Sequence, residues 1–132
     1  MTTAMSNYLE NKVLDHTLRG TTGAYTAPTT IYVGLFTSSP TDANSGTEVS
    51  GGSYARVVAT FANAATSGSI SNTNLISFTT ASASWGTITH IGLFDNSTGG
   101  NLMYWGALTV SKVIGNGDTF SISIGNLTVS ID

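Results

Sequence analysis

The side chains that could do chemistry are few, and they form no recognised catalytic pattern. Histidine occurs twice, as His16 and His90, and cysteine not at all. Two imidazoles without thiolates cannot build the usual tetrahedral zinc site. The sequence has no serine elbow, paired-histidine zinc helix or phosphate loop. Its seven acids are dispersed: Glu10 and Asp15 in a predicted helix, Asp42, Glu48, Asp95 and Asp118 in predicted turns, and Asp132 at the terminus. A glycosidase needs two carboxylates held roughly 5–9.5 Å apart, and this spacing pairs none of them. His16 falls on the polar side of the helix, where a solvated imidazole is expected. His90 sits between Thr89 and Ile91 in a strand pattern and reads as a hydrogen-bonded interior or interface histidine, not a general base. Asp42 and Glu48 have neither companion carboxylates nor EF-hand spacing to make a cation site. The expectation is a non-enzyme with no cofactor and no metal.

Binding chemistry has more material. Trp85, Tyr104 and Trp105 could stack against sugar rings, with Asp95 and Asn96 on the intervening loop as hydrogen-bonding partners. A core or interface role is the expected one for these aromatics. Arg56 lies in a strand pattern and is expected at an edge or on the solvent side. The four basic residues, Lys12, Arg19, Arg56 and Lys112, are scattered and the net charge is −3, so neither nucleic acid nor a membrane is an expected partner. The start of the chain has no basic and apolar signal pattern, so export by a secretory signal is not expected.

The elements that must position these residues are mainly strands. Ser6 to Arg19 is the one predicted helix, capped by Ser6 or Asn7, with Asn7 and Glu10 at capping-box spacing and Gly20 as a stop. Leu9, Val13, Leu14 and Leu18 form its apolar face, expected on the domain's own sheet or on a neighbouring subunit. Thr30 to Phe36, Tyr54 to Phe61, Leu75 to Phe78 and the alternating residues 120–131 read as strands, and Ser69 to Ser71 as a short one. The phase slip at Gly125-Asn126 marks a tight hairpin or a strand that switches sheets. Ser84 to Thr109 is a hairpin around Asp95 to Asn101, with Trp85, Thr87, Thr89, Ile91 and Leu93 on one face and Ile88, His90, Gly92 and Phe94 on the other. VGLF at Val33 to Phe36 is echoed by IGLF at Ile91 to Phe94, which places Gly34 and Gly92 at equivalent heights. The loop Ser38 to Ser53 is long enough to have a task, with subunit contact the expected one.

These elements predict one domain over residues 1–132, with a helix at 6–19 and an antiparallel β-sandwich, jelly-roll-like, at 30–132. Only 8% of the residues are charged, against about 25% in ordinary domains. Eleven charges over roughly 6,500 Å² of surface is about one per 600 Å², so burial of that surface against other subunits is expected. Leu9, Val13, Leu18, Tyr54, Arg56, Trp85, His90, Phe94, Asp95, Tyr104 and Trp105 are the candidate interface or core residues.

Three stretches, SNYLENKVLDHTLRGT, the Gly51 to Arg56 run GGSYAR, and WGTITHIGLFD with GGNL and GAL from Trp85 to Leu108, resemble small virion proteins of tailed bacteriophages, including those of cyanobacteria and marine bacteria. The resemblance implies a virion component, either capsid cement or tail-fibre-like, with no catalytic residues. Brevity and the absence of heptads favour cement: a homo-oligomer, most simply a trimer, clamping the major capsid protein on the capsid exterior after synthesis in the host cytoplasm. The alternative is a tail-fibre or baseplate appendage that binds host glycans.

Overall fold

In the computed structural model, which describes residues 2–131, the protein is mainly β, with antiparallel sheets stacked as in a sandwich. Asp132 lies outside the described residues. The strands are β1 (Thr3–Met5), β2 (Ile31–Phe36), β3 (Val57–Ala59), β4 (Ser69–Ser71), β5 (Ile76–Ser77), β6 (Gly86–Phe94), β7 (Leu102–Ile114), β8 (Ser121–Ile122) and β9 (Thr128–Ser130). One layer is a five-stranded sheet in the order β1-β7-β6-β2-β3, and β4-β9 and β5-β8 are separate pairs. Ile76, Phe78, Phe120, Leu127 and Val129 from the small pairs and their flanks close one core with Val33, Leu35, Ile88, Ile91 and Leu93 of the large sheet.

Alternation accounts for most of this. Val33 and Leu35 point into that core, while Tyr32 and Phe36 point to a second cluster with Phe94 and Leu102 on the sheet's other face. The echo of the two VGLF-like strands is literal, because Gly34 pairs directly with Gly92 across β2 and β6. A Cβ on Gly92 would come within 2.7 Å of Leu102 Cδ1 and 3.0 Å of the Phe36 ring. The missing side chains leave the hollow in which Phe36 and Phe94 lie nearly parallel, 6.1 Å apart.

One face assignment is corrected. Ile88 shares the core with Ile91 and Leu93, although strict alternation puts it on the opposite face. The register shifts between Ile88 and His90, where Leu108 to Ser111 of β7 stand opposite Thr89 alone, and this bulge resets the phase. Two extents also differ. The strand expected at Tyr54 to Phe61 narrows to β3, and β1, invisible as a pattern, forms because it pairs with Tyr104 to Gly106 of β7.

The helix α1 spans Asn7–Leu18. Ser6 is its cap, accepting a hydrogen bond from the Leu9 amide at 3.3 Å and donating its hydroxyl to the Leu102 carbonyl, so the expected Asn7–Glu10 capping box is not the one used. Only the first turn packs on the domain's own sheet: Leu9 is buried, but Val13, Leu14 and Leu18 are 37%, 56% and 78% exposed. At Gly125 (φ +82°) the chain leaves β8, paired to β5, and enters β9, paired to β4, which is the sheet switch the phase slip signalled. Buried Asn72 secures that turn, accepting from the Leu127 amide and donating to the Ser123 carbonyl. The accessible surface is 7061 Å², somewhat above the roughly 6,500 Å² of a compact monomer of this mass.

Candidate functional site at the loop end

One end of the sandwich gathers the start of α1, the loop after β2, the segment before β3 and the β6–β7 loop. Its organiser is Arg56. The guanidinium donates from Nε and Nη2 to the two carboxylate oxygens of Glu48, both at 2.8 Å, and from Nη1 to the carbonyls of Asn96 and Gly99 at 2.9 and 2.8 Å. Its central carbon lies 3.5 Å from the centre of the Phe94 ring. The Arg56 side chain is 7% exposed, which corrects the expectation of an edge or solvent-side arginine. A near-buried guanidinium is costly unless its donors are matched, and here one carboxylate and two carbonyls take four of its five N–H groups.

Tyr54 completes the arrangement. Its hydroxyl donates to Glu48 Oε1 at 2.8 Å and accepts from the Leu35 amide at 2.9 Å. Burial, reinforced by the Glu48 charge, pushes its pKa far above the ordinary phenol range, so the hydroxyl stays a donor. Glu48 itself bridges to Phe36 as a short extension of the sheet. The loop Ser38 to Ser53 is thereby folded onto its own domain.

The aromatics separate into two groups. Trp85 is 5% exposed, donates from Nε1 to the Gly52 carbonyl at 2.9 Å and packs edge-on against Tyr54 and Phe78; it is core and offers no stacking face. Trp105 is half-buried and donates from Nε1 to Asp42 Oδ1 at 2.9 Å. Tyr104, its neighbour on the other face of β7, packs against the main core, and burial raises its pKa. His90 bonds through Nδ1 to the Thr89 hydroxyl at 2.7 Å and stands 6.1 Å from the Trp105 ring. Burial lowers its pKa. Asp95 accepts from the backbone and side-chain nitrogens of Asn101 at 2.7 and 2.8 Å, so it clamps the β6–β7 loop. Of the candidate residues, Tyr54, Arg56, Phe94, Asp95 and Trp105 come together at this end. Leu9 lies buried under α1, Val13 and Leu18 stand on its exposed face, and Trp85 belongs to the core.

The β6–β7 loop stands between two clefts. One, of about 330 Å³, is lined by Glu48, Tyr54, Arg56 and residues Ser97 to Gly99. The other, of about 210 Å³, is lined by Ser6 to Tyr8, Asp42 to Asn44 and Gly100 to Leu102. The role of Asp42 in it is one that residue patterns missed; no local signal links that acid to Trp105. Among the described residues no group of three or more His, Cys, Asp or Glu side chains is placed to hold a metal, and no helix is long and apolar enough to cross a membrane.

Among known families, the one described as podophage GP4 fiber I protein gp80 matches residues 4–130 of the chain. No curated protein matches it.

Proposed function

Because the chain belongs to the podophage GP4 fiber I protein family, and so is a small structural protein of the phage particle of tail-fibre-like type, we propose that it is a non-enzymatic subunit of the tail-fibre apparatus, assembled with copies of itself and binding glycans on the host surface. The observation that carries the reading is the family match, which runs over almost the whole chain. It favours the tail over the capsid exterior, and with it the appendage reading over the cement reading that brevity suggested.

Physical features support assembly. The exterior carries few charges, and Leu14, Leu18, Val110, Val113 and Ile124 are each more than half exposed; such surfaces are usually covered in a partnered state. A closed homo-oligomer, most simply a trimer, would cover them. The loop end, rigidified by Arg56, is left as the face that meets the host.

The test is competition for host cells. Purified protein added before the phage should slow adsorption, and mild periodate oxidation of the cells, which cleaves vicinal diols, should abolish protein binding. Protein that neither binds the cells nor slows adsorption would refute the reading.

A further inference from the structure

We infer that the cleft between the start of α1, the Asp42 loop and the β6–β7 loop is a subsite for one neutral pyranose ring. The inference rests on the host-glycan reading above and gives it a location. The two clefts flanking the β6–β7 loop differ in how far their polar groups are spent. In the Arg56 cleft, all three guanidinium nitrogens, both Glu48 oxygens and the Tyr54 hydroxyl are paired within the protein. That cleft has little charge-bearing chemistry left to offer a ligand.

In the second cleft the opposite holds. Asp42 uses Oδ1 for the Trp105 indole and its backbone carbonyl for the Asn7 amide. Among the hydrogen bonds of the described residues none involves Asp42 Oδ2, the side-chain amide of Asn44 or of Asn7, Asn101 Oδ1 or the Tyr8 hydroxyl. The residues that carry these groups line one concavity of about 210 Å³. Asp42 is fixed in place by Trp105, itself set in β7 opposite Gly92, so its remaining oxygen is a preorganised acceptor. Asn44 is held at φ +54°, a conformation asparagine tolerates better than most side chains.

The chemistry selects the ligand class. A carboxylate oxygen beside amides that both donate and accept matches adjacent sugar hydroxyls, which do the same. The carboxylate opposes phosphate or uronate, and no cationic side chain lines the cleft to offset it. Tyr8, partly exposed on the rim with Lys12 over one ring face, adds an amphipathic wall.

The test uses the full-length ¹⁵N-labelled protein titrated with the methyl glycosides of glucose, galactose, mannose and N-acetylglucosamine. At least one should shift the amides of Asp42 to Asn44 and Gly100 to Leu102. Asp42→Asn keeps an oxygen for Trp105 but replaces the free acceptor with a donor, and Asn44→Gly removes the amide at a backbone angle glycine adopts freely. Each should leave the Tm unchanged and weaken binding about ten-fold or more, the loss of one charge-assisted or well-placed hydrogen bond. Glycoside shifts elsewhere, no shift with any of the four, or binding indifferent to both variants would overturn the subsite. Host-glycan binding is judged separately by the periodate experiment, so failure of the subsite is distinguishable from failure of that reading.

Discussion

Arg56 and Phe94 are stacked, guanidinium on ring, at 3.5 Å, so the last side chain of β6 forms the floor for the group that ties the β2–β3 connection to the β6–β7 loop. Truncation, Arg56→Ala, strands the Glu48 carboxylate and frees two loop carbonyls. Breaking a largely buried pair from one side costs about 3–5 kcal/mol, a fall in Tm of roughly 10–20 °C for a domain this size. Arg56→Lys should recover little, because one ammonium cannot reach a carboxylate and two carbonyls in a planar fork. Thermal unfolding checks both, and a wild-type Tm in Arg56→Ala would show that the cluster contributes nothing.

Gly92→Ala places a methyl 2.7 Å from Leu102 and about as close to two aromatic rings as packing allows. Overpacking of this kind costs about 1–3 kcal/mol. Denaturant titration should show a lower midpoint with an unchanged slope.

His90 gives stability a pH dependence of known sign. Burial lowers its pKa below the ordinary 6.5, so between the two values the unfolded chain binds more protons than the folded one. The contribution is fully present above about pH 6.5 and is lost as pH falls through the folded-state pKa. His90→Gln should flatten the difference between Tm at pH 7.5 and pH 5.5 relative to wild type. An equally steep loss in the variant would assign it to other groups.

The exposed face of α1 separates folding from assembly. Leu14→Gln with Leu18→Gln touches side chains 56% and 78% exposed, and surface changes of this sort shift monomer stability by no more than about 0.5 kcal/mol each. If that face is covered by another copy, light scattering should report a smaller particle at unchanged Tm. A particle of wild-type mass would exclude the helix face from the contact.

Local pattern carried much of the fold. The 3.6-residue spacing after Ser6, the alternation from Ile31 to Phe36 and the paired VGLF-like strands were readable because each signal lies within a dozen residues. Ile88 was misplaced because a bulge opposite Thr89 has no composition of its own, and β1 was missed because three residues carry no period. Arg56, although among the candidate residues, was placed at the solvent side when it is nearly buried. Its partners lie 8, 40 and 43 residues away, so a short window contains Glu48 but not the two carbonyls. The signal that could have found its position is scarcity: in a chain with four cations, an arginine inside an apolar strand pattern, with an acid and a tyrosine shortly before it, points to a buried ion pair. Trp85 and Trp105 look alike in sequence, and only the Gly52 carbonyl and Asp42 distinguish buried pillar from half-buried wall.

The place proposed for this protein is the tail and not the head. Immunogold labelling of purified particles, with copy number from quantitative mass spectrometry, tests it directly. Label is expected at the tail vertex, with copies far fewer than the major capsid protein. Label spread over the head in fixed proportion to that protein would contradict it.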